Sequence, residues 1–328
     1  MLSFHSCAAK AGIGLAPDAK TIPSWVNWID AVRPDPREIA FLERTLGIEV
    51  PTLETLSEIE TSSRLRSEKD WLYLSIPMIY RKDGFMPALT PLGFVVSKDL
   101  LLTIRFKPLK AFDNCKDSLS KHPLQAGGPA AMTAILEAII GHAADVLEGV
   151  GGDLDCLSEE IFGTNAANVR RHKPREDGEQ LRLVLRKVGR NGDLTSKIED
   201  LLLGMARMVP YVAANAAPYL EAGIRAKLKS LQRAIDSLND YETHLTDKIQ
   251  FLLDATLGLT NIDQNNIFRI LTVVSVIGIP PTFVASMYGM NFKNIPEYDW
   301  SFGYQYGLLL IALSAIVPII WFKWRGWW

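Results

Sequence analysis

The sequence ILTVVSVIGIPPTFVASM occupies residues 270–287 and contains no charged side chain. A second apolar stretch, GLLLIALSAIVPIIWF, covers residues 307–322. Each stretch approaches the roughly 17–25 apolar residues that a membrane-spanning helix requires. The second stretch has aromatic residues at both edges, as membrane interfaces favour: Trp300, Tyr304 and Tyr306 on one side, and Trp321, Trp324, Trp327 and Trp328 on the other. A buried core helix is the alternative for either stretch alone, but two in series predict a membrane hairpin.

Basic residues predict how this hairpin is oriented. Arg269 precedes the first stretch, and Lys323 and Arg325 follow the second. The loop between the stretches has Lys293 as its single basic residue, opposed by Glu297 and Asp299. Because basic residues accumulate on the cytoplasmic side, the loop is predicted to face outward and both termini to face the cytoplasm.

The first apolar stretch carries a polar stripe. Its members are separated by steps of three, seven and four residues and so share one helical face: Thr272, Ser275, Thr282 and Ser286. Seven residues before Thr272, the same face reaches Asn265. A polar stripe usually faces a pore or a neighbouring helix, because lipid penalises it. Ser and Thr also bond to their own helix backbone, which leaves a second explanation open. Phe268 and Ile279 lie near this face and are predicted to form apolar constrictions.

Two helices cannot enclose a water-filled path, so conduction requires several copies of the chain around an axis. A contact surface is predicted before the first stretch, where no proline occurs between Pro218 and Pro280. One helix of about 60–70 residues, ~100 Å long, is predicted there. Its apolar residues follow heptad steps interrupted at Glu242 and Thr256: Leu228, Leu231, Ile235, Leu238, Leu245, Ile249, Leu252 and Leu259. We expect them to contact other copies; an ordinary bundle helix, packed within its own chain, is the alternative.

The preceding sequence predicts an α/β domain followed by helices. Short apolar runs at residues 71–76, 92–96 and 100–104 are separated by turn residues and predict buried strands. Residues 36–46 start with a proline and are followed by Gly47, which predicts a helix. Residues 130–162 and 176–208 are predicted to form long amphipathic helices.

Three parts are therefore predicted. Residues 1–127 form a cytoplasmic α/β domain, and residues 128–265 a cytoplasmic helical region with a long stalk helix. Residues 266–328 form a transmembrane hairpin and a short basic cytoplasmic tail. Within the hairpin, the spans cover about 268–288 and 304–322, and the outer loop covers 289–303.

Composition excludes several classes of function. The formal net charge is −2, whereas a protein that binds nucleic acid usually has an excess of basic residues, so no nucleic-acid partner is expected. Cys7, Cys115 and Cys156 are scattered, which predicts reduced thiols rather than disulfides or a zinc site. No basic region followed by a long apolar run starts the chain, so no cleaved signal peptide is expected. No nucleophile–base pair or metal-ligand cluster predicts an enzyme.

The residues that follow the first apolar stretch are Tyr288-Gly289-Met290-Asn291-Phe292. Here the chain resembles the CorA family of divalent-cation channels, whose signature is a Gly-Met-Asn triplet at the outer end of the first of two C-terminal membrane helices. Further similarities lie at residues 261–265, 273–276, 280–282 and 284–286, and in the loop at 296–297 and 300–304. The loop departs from the pattern at 294–298, where many relatives carry Met-Pro-Glu-Leu, and the strong resemblance covers about residue 248 to the end.

The resemblance implies a funnel-shaped homopentamer in the inner (plasma) membrane that conducts Mg²⁺, often with Co²⁺ and Ni²⁺, and needs no cofactor. It implies that Asn291 forms an outer selectivity ring supported by Gly289 and Met290. Asn265 and Thr282 line the implied pore, Glu297 lies in the outer loop, and the narrow apolar part contains Phe268, Leu271 and Ile279. The chemistry agrees, because Mg²⁺ dehydrates reluctantly and neutral carboxamides can bond to its water shell without binding the ion too tightly.

Several alternatives accompany this interpretation. Asn291 and Gly289 could end the first span as a left-handed helix cap. The chain could instead transport Zn²⁺, Ni²⁺ or Co²⁺, or act as a membrane-anchored scaffold or sensor without transport. The resemblance also implies closure by cytoplasmic Mg²⁺ bound between acidic residues of neighbouring subunits. No local motif selects a sensor among the acidic residues of the long helices: Asp145, Asp153, Asp155, Glu159, Glu160, Glu199 and Asp200.

Overall fold

The computed structural model describes residues 1–5, 21–58, 60, 64–80, 86–113, 115, 127–162, 174–291 and 296–326, with the backbone alone for 174–180 and 298. Residues 292–295 of the predicted outer loop and the last two tryptophans lie outside the described residues. The chain divides into two compact units, Met1–Leu253 and Asp254–Trp328. The three-part division made from composition stays a prediction.

A six-stranded sheet organises the described part of the first unit. Its strands are β1 (Leu2–His5), β2 (Trp28–Val32), β3 (Leu65–Glu68), β4 (Trp71–Tyr80), β5 (Ala88–Val96) and β6 (Leu101–Arg105). Their spatial order is β1-β2-β6-β5-β4-β3, in which β2 and β6 are parallel and the other neighbours antiparallel. The three predicted strands are confirmed as β4, β5 and β6, whereas β1, β2 and β3 were not predicted.

Both faces of the sheet are buried. Successive side chains of a strand point to opposite faces, so each strand contributes to two apolar clusters. Leu72, Leu74 and Ile76 of β4 point into one apolar cluster. Tyr73 of β4 and Val95 of β5 belong to a second cluster on the opposite face. Burial on both faces explains why the sequences of these strands are continuously apolar and do not alternate between apolar and polar residues.

Helix α1 (Pro36–Leu46) covers the second face with Phe41 and Leu42. The Asp35 carboxylate accepts a hydrogen bond from the Glu38 backbone amide, and Glu38 bonds back to the Asp35 amide, which is a capping box. Gly47 ends the helix with a φ of 66°, a left-handed conformation that glycine adopts without strain. The predicted helix is therefore confirmed. The short helix α2 (Leu53–Ser57) follows it.

Three long helices follow: α3 (Gly128–Phe162), α4 (Pro174–Asn215) and α5 (Ala222–Tyr288). The 67 residues of α5 confirm the predicted single long helix. After it come a 3-10 helix (Pro296–Asp299) and helix α6 (Gly303–Trp324).

The heptad seam of α5 packs inside its own chain. Leu228, Leu231 and Ile235 belong to the cluster that also contains strand β4. Leu245 and Ile249 are buried against apolar residues of α3 and α4. The expectation that this seam contacts other copies is therefore wrong between Leu228 and Leu252, because the apolar faces of α3 and α4 already cover it.

Three described helices are long and apolar enough to cross a membrane: α3, α5 and α6. More than half of the most apolar window of α3 is buried in the protein, whereas the windows of α5 and α6 are almost entirely uncovered. Apolar surface of that extent is costly in water. The two uncovered helices are those that contain the predicted spans.

Candidate pore and selectivity site

Seven of the predicted pore residues form one stripe along α5, which we call the pore stripe: Asn265, Phe268, Thr272, Ser275, Ile279, Thr282 and Ser286. Their numbers alternate by three and four, which keeps them on one helical face. Leu271 lies beside the stripe. Within a single chain Ser275 is half-buried and the other six stripe residues are exposed.

The apolar members of this region have no cover in one chain. Phe268, Leu271 and Ile279 are 64%, 60% and 65% exposed. Arg269 is the one charged residue between Ile267 and Tyr288. A face of this kind requires lipid or other protein surface, because large apolar side chains are not stably exposed to water as a contiguous patch.

The threonines of the pore stripe bond to their own helix. The Thr272 hydroxyl donates to the carbonyl oxygen of Phe268 at 2.7 Å, and the Thr282 hydroxyl donates to that of Gly278 at 2.8 Å. Each hydroxyl keeps acceptor capacity after donating its proton. Back-bonding and a pore-facing position are therefore compatible.

Helix α5 continues through Pro280 and Pro281 to Tyr288. Neither proline has an amide hydrogen, so the carbonyl groups four residues earlier, on Val276 and Ile277, receive no helical hydrogen bond from them. Such carbonyls are tolerated at membrane depth where they face protein or a water-filled cavity. We expect the two missing hydrogen bonds to loosen or kink the helix at this point.

The signature triplet begins where α5 ends. The Gly289 amide donates to the carbonyl oxygens of Ala285 at 3.0 Å and Ser286 at 3.2 Å, and the Met290 amide donates to that of Met287 at 3.4 Å. A Cβ atom on Gly289 would lie 3.3 Å from the Ala285 oxygen, so a glycine permits this close approach. Asn291 follows with an exposed side chain.

The proposed left-handed cap does not form at this helix end. The described residues with positive φ are Arg33, Lys69, Gly47, Gly127 and Gly326, and neither Gly289 nor Asn291 is among them. The cap is therefore wrong as an explanation of the triplet here, because amide bonds back to Ala285, Ser286 and Met287 end the helix without it.

The described part of the loop, residues 296–302, packs tightly against the start of α6. The Trp300 amide donates to the Glu297 carbonyl oxygen at 3.3 Å, and the Gly303 amide donates to that of Trp300 at 3.1 Å. A Cβ atom on Gly303 would lie 2.0 Å from the Glu297 carbonyl oxygen, so only glycine fits. Sequence reasoning did not single out Gly303, although a glycine just before a long apolar run was a usable signal.

At the other end of the hairpin, the Arg269 guanidinium donates to the carbonyl oxygen of Gly326 at 3.3 Å. The Arg325 guanidinium lies 5.6 Å from the centre of the Trp321 ring. Two of the three basic residues used to predict orientation, Arg269 and Arg325, thus lie at one end of the hairpin together with Trp321.

Two of the acidic residues on the long helices form ion pairs with lysines. Asp155 forms an ion pair with Lys248, and Glu160 forms one with Lys187 at 3.1 Å. Among the residues that the structure describes, no three His, Cys, Asp or Glu side chains form a group that could hold a metal ion. A sensor site contained in one chain is therefore not found in this part of the molecule.

This architecture defines a class of protein: a membrane transporter subunit with an N-terminal α/β domain, long helices, and a C-terminal pair of apolar helices joined by a Gly-Met-Asn loop. Residues 24–324 match the family described as "CorA-like Mg2+ transporter protein", so the chain belongs to that family. Its members are ion transporters rather than enzymes.

Individual proteins agree with this assignment. The chain is 32% identical to the magnesium transport protein CorA of Pasteurella multocida over 302 residues, which cover 92% of this chain and 91% of that protein. It is 29% identical to the magnesium transport protein CorA of Yersinia pseudotuberculosis, with the same coverage. The complete structure of the CorA magnesium transporter from Methanocaldococcus jannaschii matches with a TM-score of 0.77 and 20% identity, over 100% of this chain and 98% of that one.

The predicted family and fold class are confirmed by these findings. The structure places the pore stripe on one face and the triplet at the end of the same helix. The roles of Gly289, Met290, Asn291, Glu297 and the pore-stripe residues stay predictions.

Proposed function

We propose that several copies of this chain form a channel for passive Mg²⁺ uptake, with the pore stripe facing the axis and Asn291 forming a ring at the outer mouth. The observation that carries the proposal is the continuity of one helix. Helix α5 bears an uncovered, charge-free stripe and ends at the signature triplet. Relatives named as magnesium transport proteins support the choice of ion.

The selectivity proposal follows from the chemistry of the ring. Carboxamide oxygens can accept hydrogen bonds from the waters of a hydrated Mg²⁺, while the ion keeps its octahedral shell. Neutral groups hold the ion weakly enough to release it, as conduction requires. Gly289 and Met290 would position the ring. Glu297, on the neighbouring 3-10 helix, would attract cations to the mouth.

The narrow part of the path would be apolar. Phe268, Leu271 and Ile279 are large, exposed and near the same face of α5. Around an axis they would close the pore by excluding water. Assembly would cover the apolar side chains that are exposed in a single chain. The resemblance to the family implies five subunits.

We place the hairpin in the inner membrane with both termini in the cytoplasm. Arg269, Lys323 and Arg325 support this orientation by the excess of basic residues on the cytoplasmic side. Cytoplasmic Mg²⁺ would favour the closed state by binding between subunits. No sensor residue is assigned.

The test is Mg²⁺ uptake into proteoliposomes that contain the full chain and a Mg²⁺-sensitive dye. We expect uptake by the wild type and its loss, or loss of ion selectivity, in Asn291→Ala. Gln305→Ala is the matched control, because it removes an exposed carboxamide from α6 instead. Parallel assays with Co²⁺, Ni²⁺ and Zn²⁺ define the range of ions. Entry of Zn²⁺ or Ni²⁺ without Mg²⁺ would contradict the choice of ion, and assembled protein without any divalent flux would contradict transport.

A further inference from the structure

A cavity of about 570 Å³ lies in the C-terminal unit between the end of α5, the 3-10 helix and the start of α6. This volume is within the range of about 300–1,000 Å³ that small-molecule sites occupy. The lining residues that matter below are Tyr288, Glu297, Trp300, Tyr304, Gly307 and Ile311. None of the seven pore-stripe residues lines this cavity, although Gly289 of the triplet does.

One end of the cavity is suited to an organic cation. Three aromatic residues, Tyr288, Trp300 and Tyr304, line the cavity together with Glu297, and no described lining residue is basic. Aromatic ring faces and a carboxylate both attract ammonium groups. Tyr304 is 78% exposed, so a large aromatic surface there is available to be covered.

A divalent metal ion fits this end poorly. The described lining contains one carboxylate, whereas Mg²⁺ and Ca²⁺ take six or more oxygen ligands, usually with several carboxylates or waters. Aromatic ring faces instead attract organic ammonium groups. A quaternary ammonium has no hydrogen to donate to Glu297, whereas a primary ammonium does. A primary ammonium has three hydrogens to donate, as a Lys side chain does, and one of them can bond to Glu297.

The other end of the cavity is apolar. Gly307 and Ile311 belong to α6, which is almost entirely uncovered. A ligand with an ammonium group at one end and a hydrocarbon chain at the other would match both ends. Phospholipids whose headgroup carries an ammonium have this arrangement at the membrane interface, where tyrosine and tryptophan are also enriched.

The residues proposed to bind the cation are already ordered before any ligand binds. The Trp300 ring packs 5.4 Å from the ring of Phe302 and 5.6 Å from that of Tyr306. The close packing of Gly303 against the Glu297 backbone holds the carboxylate-bearing residue near α6. Groups that are already ordered lose less entropy on binding.

We propose that this cavity binds a phospholipid whose headgroup ends in a primary ammonium, with the ammonium at Glu297 and the aromatic rings, and an acyl chain along α6. The inference rests on the membrane placement proposed above. That orientation puts the site in the outer leaflet, beside the selectivity triplet but outside the pore.

The experiment is native mass spectrometry of the delipidated, assembled full-length protein in detergent. It is exposed to equal amounts of phosphatidylethanolamine, phosphatidylcholine and phosphatidylglycerol with identical acyl chains. We expect the wild type to retain phosphatidylethanolamine about tenfold over the other two, and Glu297→Gln to lose this preference. Asp299→Asn is the matched control, since it neutralises a carboxylate of the same 3-10 helix that does not line the cavity.

A second variant tests the volume of the cavity. A Cβ atom on Gly307 meets no atom within 4 Å, so Gly307→Leu can fill the cavity without displacing backbone. We expect it to exclude the lipid while Glu297 remains. Equal retention of all three lipids by the wild type, an unchanged preference in Glu297→Gln, or equal loss in Asp299→Asn would overturn the proposal. Lipid retention is scored without ion flux, so failure of the channel proposal would be seen separately.

Discussion

Asp30 and Arg105 form a bidentate ion pair inside the sheet. The Arg105 Nε atom donates to Asp30 Oδ1 at 3.0 Å and its Nη2 atom donates to Oδ2 at 2.9 Å. Asp30 is fully buried, and Arg105 lies over the Phe112 ring at 4.7 Å from its centre. The hydroxyl of Thr103 lies 3.2 Å from the same Oδ1 atom. Strands β2 and β6, which are parallel neighbours, are thereby joined through side chains as well as backbone.

Asp30→Asn is expected to destabilise the N-terminal unit by about 3–5 kcal/mol, because it leaves the Arg105 charge buried without its partner. Thermal unfolding of the full-length protein in detergent measures the effect. Asp99→Asn is the control, since Asp99 is exposed. Replacing both partners with apolar residues, Asp30→Leu with Arg105→Met, should recover much of the loss. Equal melting temperatures for Asp30→Asn and Asp99→Asn would contradict this account.

Glu242 is a buried carboxyl in the apolar seam of α5, only 4% exposed. Burial raises its pKa above the ordinary value of 4.5; the hydrogen bond from Thr246 opposes this rise, and the nearby Glu199 adds to it. The folded protein therefore binds a proton more tightly at this site than the unfolded chain does. Stability should fall as pH rises from about 4.5 through the raised pKa, and stay lower above it.

We therefore expect Glu242→Gln to be more stable than the wild type at neutral pH, because it removes the cost of a buried charge. The difference should shrink as the pH is lowered toward about 4.5, where the unfolded carboxyl also becomes protonated. Melting temperatures measured at a series of pH values test this. Asp247→Asn, at an exposed position on the same helix, is the control. A constant offset for Glu242→Gln at every pH would refute it.

Ile279→Ser should increase Mg²⁺ flux in the proteoliposome assay, most clearly when Mg²⁺ on the cytoplasmic side favours closure. A hydroxyl in place of a large apolar side chain lets water stay in the constriction. Val274→Ser is the matched control, because Val274 is 64% exposed, close to the 65% of Ile279, but lies across the helix. If both variants raised flux equally, general loosening of the helix would explain the result instead of a constriction.

Local signals in the sequence were sufficient for several elements. Asp35, Pro36 and Gly47 mark both ends of α1, and uninterrupted apolar runs mark β4 to β6. Strands β1 (LSFH) and β3 (LRSE) were missed because their polar residues leave no continuous apolar run. In β2 the polar Asp30 also interrupts the apolar pattern, and its burial depends on Arg105, 75 residues away. Tertiary pairing of this kind leaves no local pattern.

Local sequence signals are also insufficient to predict what the heptad seam of α5 contacts and how the region around the triplet is packed. Heptad spacing predicts that Leu245 and Ile249 pack against helices, but it does not tell helices of the same chain from those of another copy. The triplet predicts the end of α5 correctly, since α5 ends at Tyr288. The cavity could not be predicted, because it depends on how residues 297–304 fold back against α5.

Gly303→Ala provides a direct test of that packing. The added Cβ would lie 2.0 Å from the Glu297 carbonyl oxygen, so the 3-10 helix or the start of α6 must shift. Forcing an atom into a packed site of this kind typically costs about 1–3 kcal/mol. We expect a lower melting temperature and reduced Mg²⁺ uptake, because displacement of the loop moves Glu297 and disturbs the neighbouring triplet. Gly258→Ala is the control, since a Cβ there meets no atom within 4 Å and alanine favours the helix. If Gly303→Ala melted and transported like Gly258→Ala, the loop would not be held against α6 in the way that the structure shows.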